Sequence, residues 1–267
     1  MENAKEIVKE KYGQIAENSH TESNLPCCGP SCCGDGTDYT VFSDSYDKID
    51  GYNPDADLGL GCGIPTEFAR IRKGDTVVDL GSGAGNDCFV ARALTGSTGK
   101  VIGIDITEPM VEKARNNVEK FGYTNVEFRL GDIEEMPVES NSTDVVISNC
   151  VLNLVPDKAQ AFSEIFRILK PGGHFCVSDV VIKGTLSERM QKDAEMYAGC
   201  VSGASEMFEY LKIINNSGFI NVKLHKQKEI KLPDSLLSKY KDSTELNSYH
   251  AGEKGIFSIT VYAEKVK

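Results

Sequence analysis

The chain has 267 residues, 40% apolar and 26% charged, an ordinary globular composition that excludes global disorder. Its formal charge of −11 leaves nothing obvious to neutralise phosphates and argues against a nucleic-acid partner. No window approaches about eighteen consecutive apolar residues and "MENAKEIVKEKYG" lacks an apolar signal core, so a soluble, cytoplasmic protein with no membrane partner is expected.

Ala4, Ile7, Val8, Tyr12 and Ile15 recur at helical spacing and predict an amphipathic helix over 3–18 that lies on another surface. From 19 to 63 the pattern dissolves into Ser, Asn, Gly, Asp, Pro and Cys, ending in "GLGCG". That stretch is too long for a plain linker and is either mobile or part of a site. "TVVDLG" (76–81) reads as a buried strand, "NDCFVARALTG" as a helix ending at glycine, and "KVIGIDI" as a second strand. Thr107 is the expected N-cap of a helix with Met110, Val111, Ala114, Val118 and Phe121 on one face. "NVEFRLGD" and "DVVISNC" follow as strands three and four. Asp157 is placed to cap a helix carrying Ala161, Phe162, Ile165 and Leu169, which "KPGG" ends before a fifth strand, "HFCVSDVV". Two more helices, a strand at 219–224, a polar insertion over 233–254 and a last strand, "IFSITVYAE", complete the chain. Strands alternating with helices of this length predict an α/β, doubly wound parallel sheet, here with a small C-terminal α+β lobe. The expected divisions are 1–63, 64–182 and 183–267.

In "VVDLGSGAGND", Gly81, Gly83 and Gly85 stand between a strand and a helix, where backbone can approach a ligand and helix N–H groups are free. A tight turn without a ligand is the bland alternative. Asp105 ends the second strand about 20 residues on, where a carboxylate accepts hydrogen bonds from ribose hydroxyls. Asp79, just before the glycines, would repel a pyrophosphate and better suits a cofactor carrying an amine and a sulfonium. "VVDLGSGAG", "GIDIT", "GDIEEMP" and "ILKPGG" follow in the order of one family, and residues 74–182 resemble a class I S-adenosylmethionine-dependent methyltransferase. The resemblance implies a Rossmann-like cofactor-binding core over 64–182. Gly81 and Gly83 would line the cofactor, Asp105 would bind ribose, and Asp132 with Ile133 would border adenine. Asp79, Ile106, Met110 and Asn149 complete the expected set.

Nine cysteines are many for a reducing compartment, and an odd number cannot all pair internally. Ser148-Asn149-Cys150 ends strand four, where a doubly wound sheet presents residues to its ligand. Neither an Asn-Pro-Pro-aromatic run nor a Pro-Cys pair stands there, so amino-methylating nucleic-acid enzymes and cytosine-5 enzymes do not fit. Alone, Cys150 reads as readily as a small buried hydrophobe. Cys62 in "GLGCG" and Cys200 in "YAGCVSGA" also sit among small residues that would not crowd a sulfur.

"GLGCG", "SNCVLNL" and "AGCVSGA" around this core resemble the arsenite S-adenosylmethionine methyltransferases, a similarity running from about residue 44 to 210. It implies that Cys62, Cys150 and Cys200 bind trivalent arsenic, supplied as arsenite or its thiol conjugates. Soft thiolates suit that acceptor and leave its lone pair free to take a methyl group without a general base. No histidine among His20, His174, His225 and His250 pairs with an evident catalytic partner, and catalysis would rest on alignment. "CCGPSCC" carries Cys27, Cys28, Cys32 and Cys33 in one bundle without the second cluster a structural zinc site needs. Zinc binding, inert surface thiols and a redox role all remain open. The family resemblance implies a disulfide between an N-terminal cysteine, here Cys32 or Cys33, and Cys62. An external reductant, thioredoxin or glutathione, would then restore the thiols.

Cys88 and Cys176 read as packing residues, and Tyr46 and Tyr52 either meet a sulfonium or anchor a loop. The 1–63 segment is expected to cover the site and 183–267 to hold the acceptor. Two rivals stand beside this reading. One is a carbon or oxygen methyltransferase for a small organic acceptor such as a quinone, which "LVPDKAQAFSEIFRILKPGG" suits equally. The other is a soft-metal sensor or buffer without turnover.

Overall fold

A strand buried on both faces needs helices above and below it, and Thr76–Leu80 (β1) is such a strand. The computed structural model describes residues 2–18, 44–189, 201, 203–232, 247–249 and 251–267. Beside β1 run Lys100–Asp105 (β2), Val126–Leu130 (β3), Thr143–Asn149 (β4) and Leu169–Lys183 (β5), all parallel. Ile220–Ile230 (β6) and Gly255–Glu264 (β7) add two antiparallel strands, and the order across the seven-stranded sheet is β3-β2-β1-β4-β5-β7-β6. The described helices are Glu2–Asn18 (α1), Asn86–Thr95 (α2), Glu108–Phe121 (α3), Lys158–Ile168 (α4) and Met207–Asn216 (α5).

Alternate residues divide the core between the two faces. Val78 and Leu80 pack with Ile102, Ile104, Phe162 and Phe175 on one side. Val77 packs with Val101, Val145, Phe89 and Ala114 on the other. Beyond residue 183, β6 and β7 belong to this same sheet. β7 pairs with β5 from His174↔Glu264 to Lys183↔Gly255, and α5 packs on α4 and β5. The chain runs outward from β1 in both directions, to β2 and β3 on one side and to β4 and β5 on the other. A crevice opens at the carboxyl ends of β1, β2 and β4, where such a reversal leaves room for a ligand.

Local details depart from the sequence expectations for physical reasons. The inward stripe of α1 is Lys5, Val8, Tyr12 and Ala16, at three- and four-residue steps, while Ile7 is 58% exposed. Thr107 occupies the N-cap of α3 without capping it, because its hydroxyl is bonded to the Asp105 carboxylate. Asp157 does cap α4, accepting from the Gln160 N–H at 2.9 Å. "KPGG" is a bulge inside β5 rather than a helix terminator, since α4 already ends at Ile168 and the β4–β5 register shifts across it. The strand expected at 219–224 extends over Ile220–Ile230. The second helix expected after 183 and most of the polar insertion fall outside the described residues. No helix among the described residues is long and apolar enough to cross a membrane.

Candidate functional site

The glycine loop shapes the crevice first. Gly81 has φ +64, and a Cβ there would lie 2.3 Å from the Val151 side chain, so only glycine fits both the backbone and the space. Gly81→Ala is therefore expected to cost about 2 kcal/mol or more, read as a lower urea midpoint. Gly85 caps α2 in the left-handed conformation and leaves the first turn of that helix facing the crevice.

All nine residues expected around a cofactor line this one cavity: Asp79, Gly81, Gly83, Asp105, Ile106, Met110, Asp132, Ile133 and Asn149. Cys150 and Val151 continue the wall, and the 44–63 segment adds Tyr46, Leu58, Leu60 and Gly61. Lys5, Val8 and Tyr12 of α1 close its outer side. Lys5 bonds Asp132 at 2.5 Å and also pairs with Glu134, tying α1 to the loop after β3.

Acidic groups dominate the floor. Asp105 accepts from the Gly83 N–H at 2.9 Å and the Thr107 N–H at 2.8 Å. Burial still raises its pKa, against those backbone bonds. Asp79 at the end of β1 is wholly buried, and burial, followed by the charge of neighbouring Asp87, holds its carboxyl well above the usual range. Burial pushes Asp87 up to about 6, against the hydrogen bonds donated by Asn149 and Tyr46. Among the described residues no cation acts on either acid. Two neighbouring carboxyls are thus buried with no counter-charge among the described residues, an arrangement that a cationic ligand would relieve.

Asn149, the last residue of β4, sits at the centre of the polar contacts. Its Oδ1 accepts from the Cys62 N–H at 3.0 Å. Its Nδ2 donates to the Gly63 carbonyl at 2.8 Å, to the Tyr46 hydroxyl at 2.9 Å and to Asp87 at 3.1 Å. The Tyr46 hydroxyl in turn donates to Asp87 at 2.8 Å. Tyr52 stacks on Tyr46 with ring centroids 6.3 Å apart and anchors the loop; it does not line the cavity.

Cys62 and Cys150, 88 positions apart in the chain, are buried in one cluster with Val180, Ile182, Leu186 and Val201. Val201 is wholly buried there. Cys200, the third expected ligand, and Cys32 and Cys33 lie outside the described residues, as do Cys27, Cys28, His20 and His250. Cys150 has φ +62, a left-handed conformation that costs a non-glycine residue about 1 kcal/mol and is concentrated at functional sites. Close by, Tyr210 donates to Asp179 at 2.9 Å. Burial and the Asp179 charge raise the Tyr210 pKa. Burial pushes Asp179 up to about 7.

Of the other expected packing residues, Cys176 is wholly buried in the sheet. Cys88 is buried as well, but its Sγ donates to Asp79 at 3.2 Å. His174 donates to the Ala69 carbonyl at 2.6 Å, and His225 stacks on Phe68. Sequence reasoning passed over Asp87, Lys5, Asp179 and Tyr210. For Asp87 a signal existed, since an acid in the first turn after the glycine loop must face the crevice. The others become visible only when α1 and α5 are docked.

A family profile described as a methyltransferase domain matches residues 71–218. The arsenite methyltransferase of Halobacterium salinarum is 42% identical over 235 residues, covering 84% of this chain and 59% of that protein. That of Aquipseudomonas alcaligenes is 32% identical, covering 87% of this chain and 67% of that protein. Among solved structures, an arsenic(III) S-adenosylmethionine methyltransferase from Chlamydomonas reinhardtii aligns with a TM-score of 0.61 and 33% identity. That alignment covers 73% of this chain and 65% of the other. The chain therefore spans 59% and 67% of the length of the first two relatives.

Proposed function

Because the chain belongs to the methyltransferase-domain family, and within it to the arsenite methyltransferases, we propose that it transfers the methyl group of S-adenosylmethionine to trivalent arsenic. When bound, that cofactor supplies an electrophilic methyl carbon on a cationic sulfur. The observation that carries the reading is the meeting of two features. The uncompensated pair Asp79 and Asp87 lines the crevice, and Cys150 on the same wall is clustered with Cys62. Two further atoms support a polar ligand: Ser82 Oγ and Asn86 Oδ1 border the cavity, are buried, and have no partner among the described residues.

In this reading Asp105 receives the ribose hydroxyls on the lone pairs its backbone bonds leave open. Asp132 and Ile133 border the adenine, with Ile106 and Met110 beside it. The negative charge of Asp79 and Asp87 holds the amine and sulfonium end. Gly81 and Gly83 let the backbone approach without a side chain intervening. Cys62, Cys150 and Cys200 grip the arsenic through three sulfurs and leave its lone pair aimed at the methyl carbon. With the cofactor bound, the arsenic lone pair would take the methyl carbon as the carbon–sulfur bond breaks, and the electrons of that bond would stay on sulfur. No proton needs removal, so alignment does the catalytic work. The arsenic centre rises from +3 to +5 in that step. Two thiols, Cys62 with Cys32 or Cys33, return it to +3 as they form a disulfide, which thioredoxin or glutathione reduces. The 1–63 segment covers the site and the 183–267 segment borders the acceptor.

The test incubates the protein with arsenite, glutathione and methyl-labelled S-adenosylmethionine and separates arsenic species by chromatography. Labelled methylarsenic is expected. Methylation of a quinone with none of arsenite would support the rival organic acceptor, and arsenite binding without cofactor consumption would support a sensor. Affinity should also follow pH. A cationic ligand favours the Asp87 carboxylate, which titrates at about 6 without it. As pH falls through about 6, binding must expel a proton and weakens by up to about tenfold per unit. Calorimetry between about pH 5 and pH 8 is expected to show weaker S-adenosylmethionine binding, with proton release, on the acid side.

A further inference from the structure

We propose that Asn149 is a positioning residue that links the cofactor crevice to the Cys62 loop, so that filling the crevice fixes the Cys62 thiol. The inference deepens the reading above and rests on it for the cationic ligand of the crevice and for the identity of the acceptor. A primary amide carries an accepting oxygen and an NH2 with two hydrogens; here the oxygen serves the Cys62 loop, and the NH2, shared among three acceptors, serves both that loop and the crevice acid Asp87. The Oδ1 holds the N–H of Cys62 at 3.0 Å and the Nδ2 holds the carbonyl of Gly63 at 2.8 Å, so the backbone on both sides of the Cys62 sulfur is bound to one side chain. The same Nδ2 reaches Asp87 at 3.1 Å and the Tyr46 hydroxyl at 2.9 Å.

The fit is close. A Cβ on Gly61 would stand 2.5 Å from Asn149 Nδ2, and one on Gly63 would stand 2.7 Å from Ser178 Oγ. "GCG" is therefore read here as two close approaches flanking a thiol, rather than as a hinge. The Cys62 carbonyl is in turn held by Ser258 Oγ at 2.5 Å. Asp87 is the terminal of the network on the crevice side. A cation bound over Asp79 and Asp87 favours the charged carboxylate, which accepts more strongly from the Asn149 amide. The amide then grips residues 62 and 63 more tightly. Linkage requires the converse as well: an occupied Cys62 tightens cofactor binding. An aspartate at 149 could accept from Cys62 but could not donate to Gly63 or Asp87, so the type of residue follows from the task.

The test needs no arsenic. S-Adenosylhomocysteine, whose amine is cationic, serves as the crevice probe, and iodoacetamide alkylation of Cys62, followed by peptide mass spectrometry, reports how firmly the loop is held. In the wild-type chain a saturating probe is expected to slow alkylation of Cys62 by about 10-fold. Asn149→Ala and Gly61→Ala are each expected to reduce that protection to less than about 2-fold. Gly61→Ala displaces the amide without removing it, so it answers for any folding defect in Asn149→Ala. A merely structural role for Asn149 would raise Cys62 reactivity equally with and without the probe, and that result overturns the link. No protection in the wild-type chain, or wild-type protection in both variants, also overturns it. A variant that the probe cannot saturate would assign the amide to holding the cofactor itself and would equally overturn it. Failure of arsenite methylation with protection intact would instead strike the acceptor assignment alone.

Discussion

Cys150→Ser is expected to lower arsenite methylation at least about 100-fold while changing S-adenosylmethionine affinity by less than about 3-fold. Serine is close in volume to cysteine, and the position is 3% exposed, so the fold should survive a buried hydroxyl at a cost of about 1–3 kcal/mol. A hard oxygen cannot replace a soft sulfur on trivalent arsenic, and two remaining ligands would not hold the lone pair in line with the methyl carbon. Cys62→Ser should behave alike. The backbone supplies a control. At φ +62, Cys150→Gly relieves the left-handed strain as it removes the sulfur. That variant should be as inactive as the serine variant for arsenite while keeping cofactor affinity. Arsenite methylation within about tenfold of wild type in Cys150→Ser would remove the thiolate grip from the mechanism.

Asp79→Asn is expected to have the opposite effect on two measurements. The amide keeps an oxygen for the Cys88 Sγ–H, so packing is preserved and one buried charge disappears. The Kd for S-adenosylmethionine should rise at least about 30-fold, since the cation loses a buried carboxylate that lines the crevice. The ligand-free protein should become more stable. The folded-state pKa of Asp79 is raised above its unfolded value, so the folded chain binds the proton more tightly. Stability is therefore greatest below the unfolded pKa, near about pH 4, and is lost as pH rises toward the folded value. At neutral pH the wild-type chain carries this penalty and the asparagine variant does not. Thermal unfolding near neutral pH is expected to give a Tm a few degrees higher for ligand-free Asp79→Asn and a smaller increase on adding cofactor. An unchanged Kd would show that the acid pair is not what holds the cationic end.

The α/β alternation was legible because buried strands and amphipathic helices carry periods of two and 3.6 in their apolar residues, as in "TVVDL" and the Met110–Val111–Ala114 face. Part of the crevice was legible for a related reason. Asp79, Gly81, Gly83 and Asp105 stand in or beside a strand-to-glycine turn that the residue types announce, whereas Asp132 and Ile133 were expected from the family resemblance. Capping was less so. Asp157 caps its helix, but Thr107 does not, because Asp105 competes for its hydroxyl across a turn that no local pattern encodes. Ile7 fits a helical stripe as well as Val8 does, and only the surface that α1 meets selects Val8.

Residue types and their order along the chain thus determined the doubly wound sheet, the glycine loop, the acids at the ends of β1 and β2, and the family, since each is a local pattern with a local cause. The tertiary structure alone decided that Cys62 and Cys150 share a cluster, that Asp87 lies beside Asp79, and that Asn149 bridges the Cys62 loop and Asp87. Those contacts join segments separated by as many as 88 positions. Their partners are chosen by how the sheet twists and which loops it brings to one end, and nothing in the immediate neighbourhood of either residue records that choice.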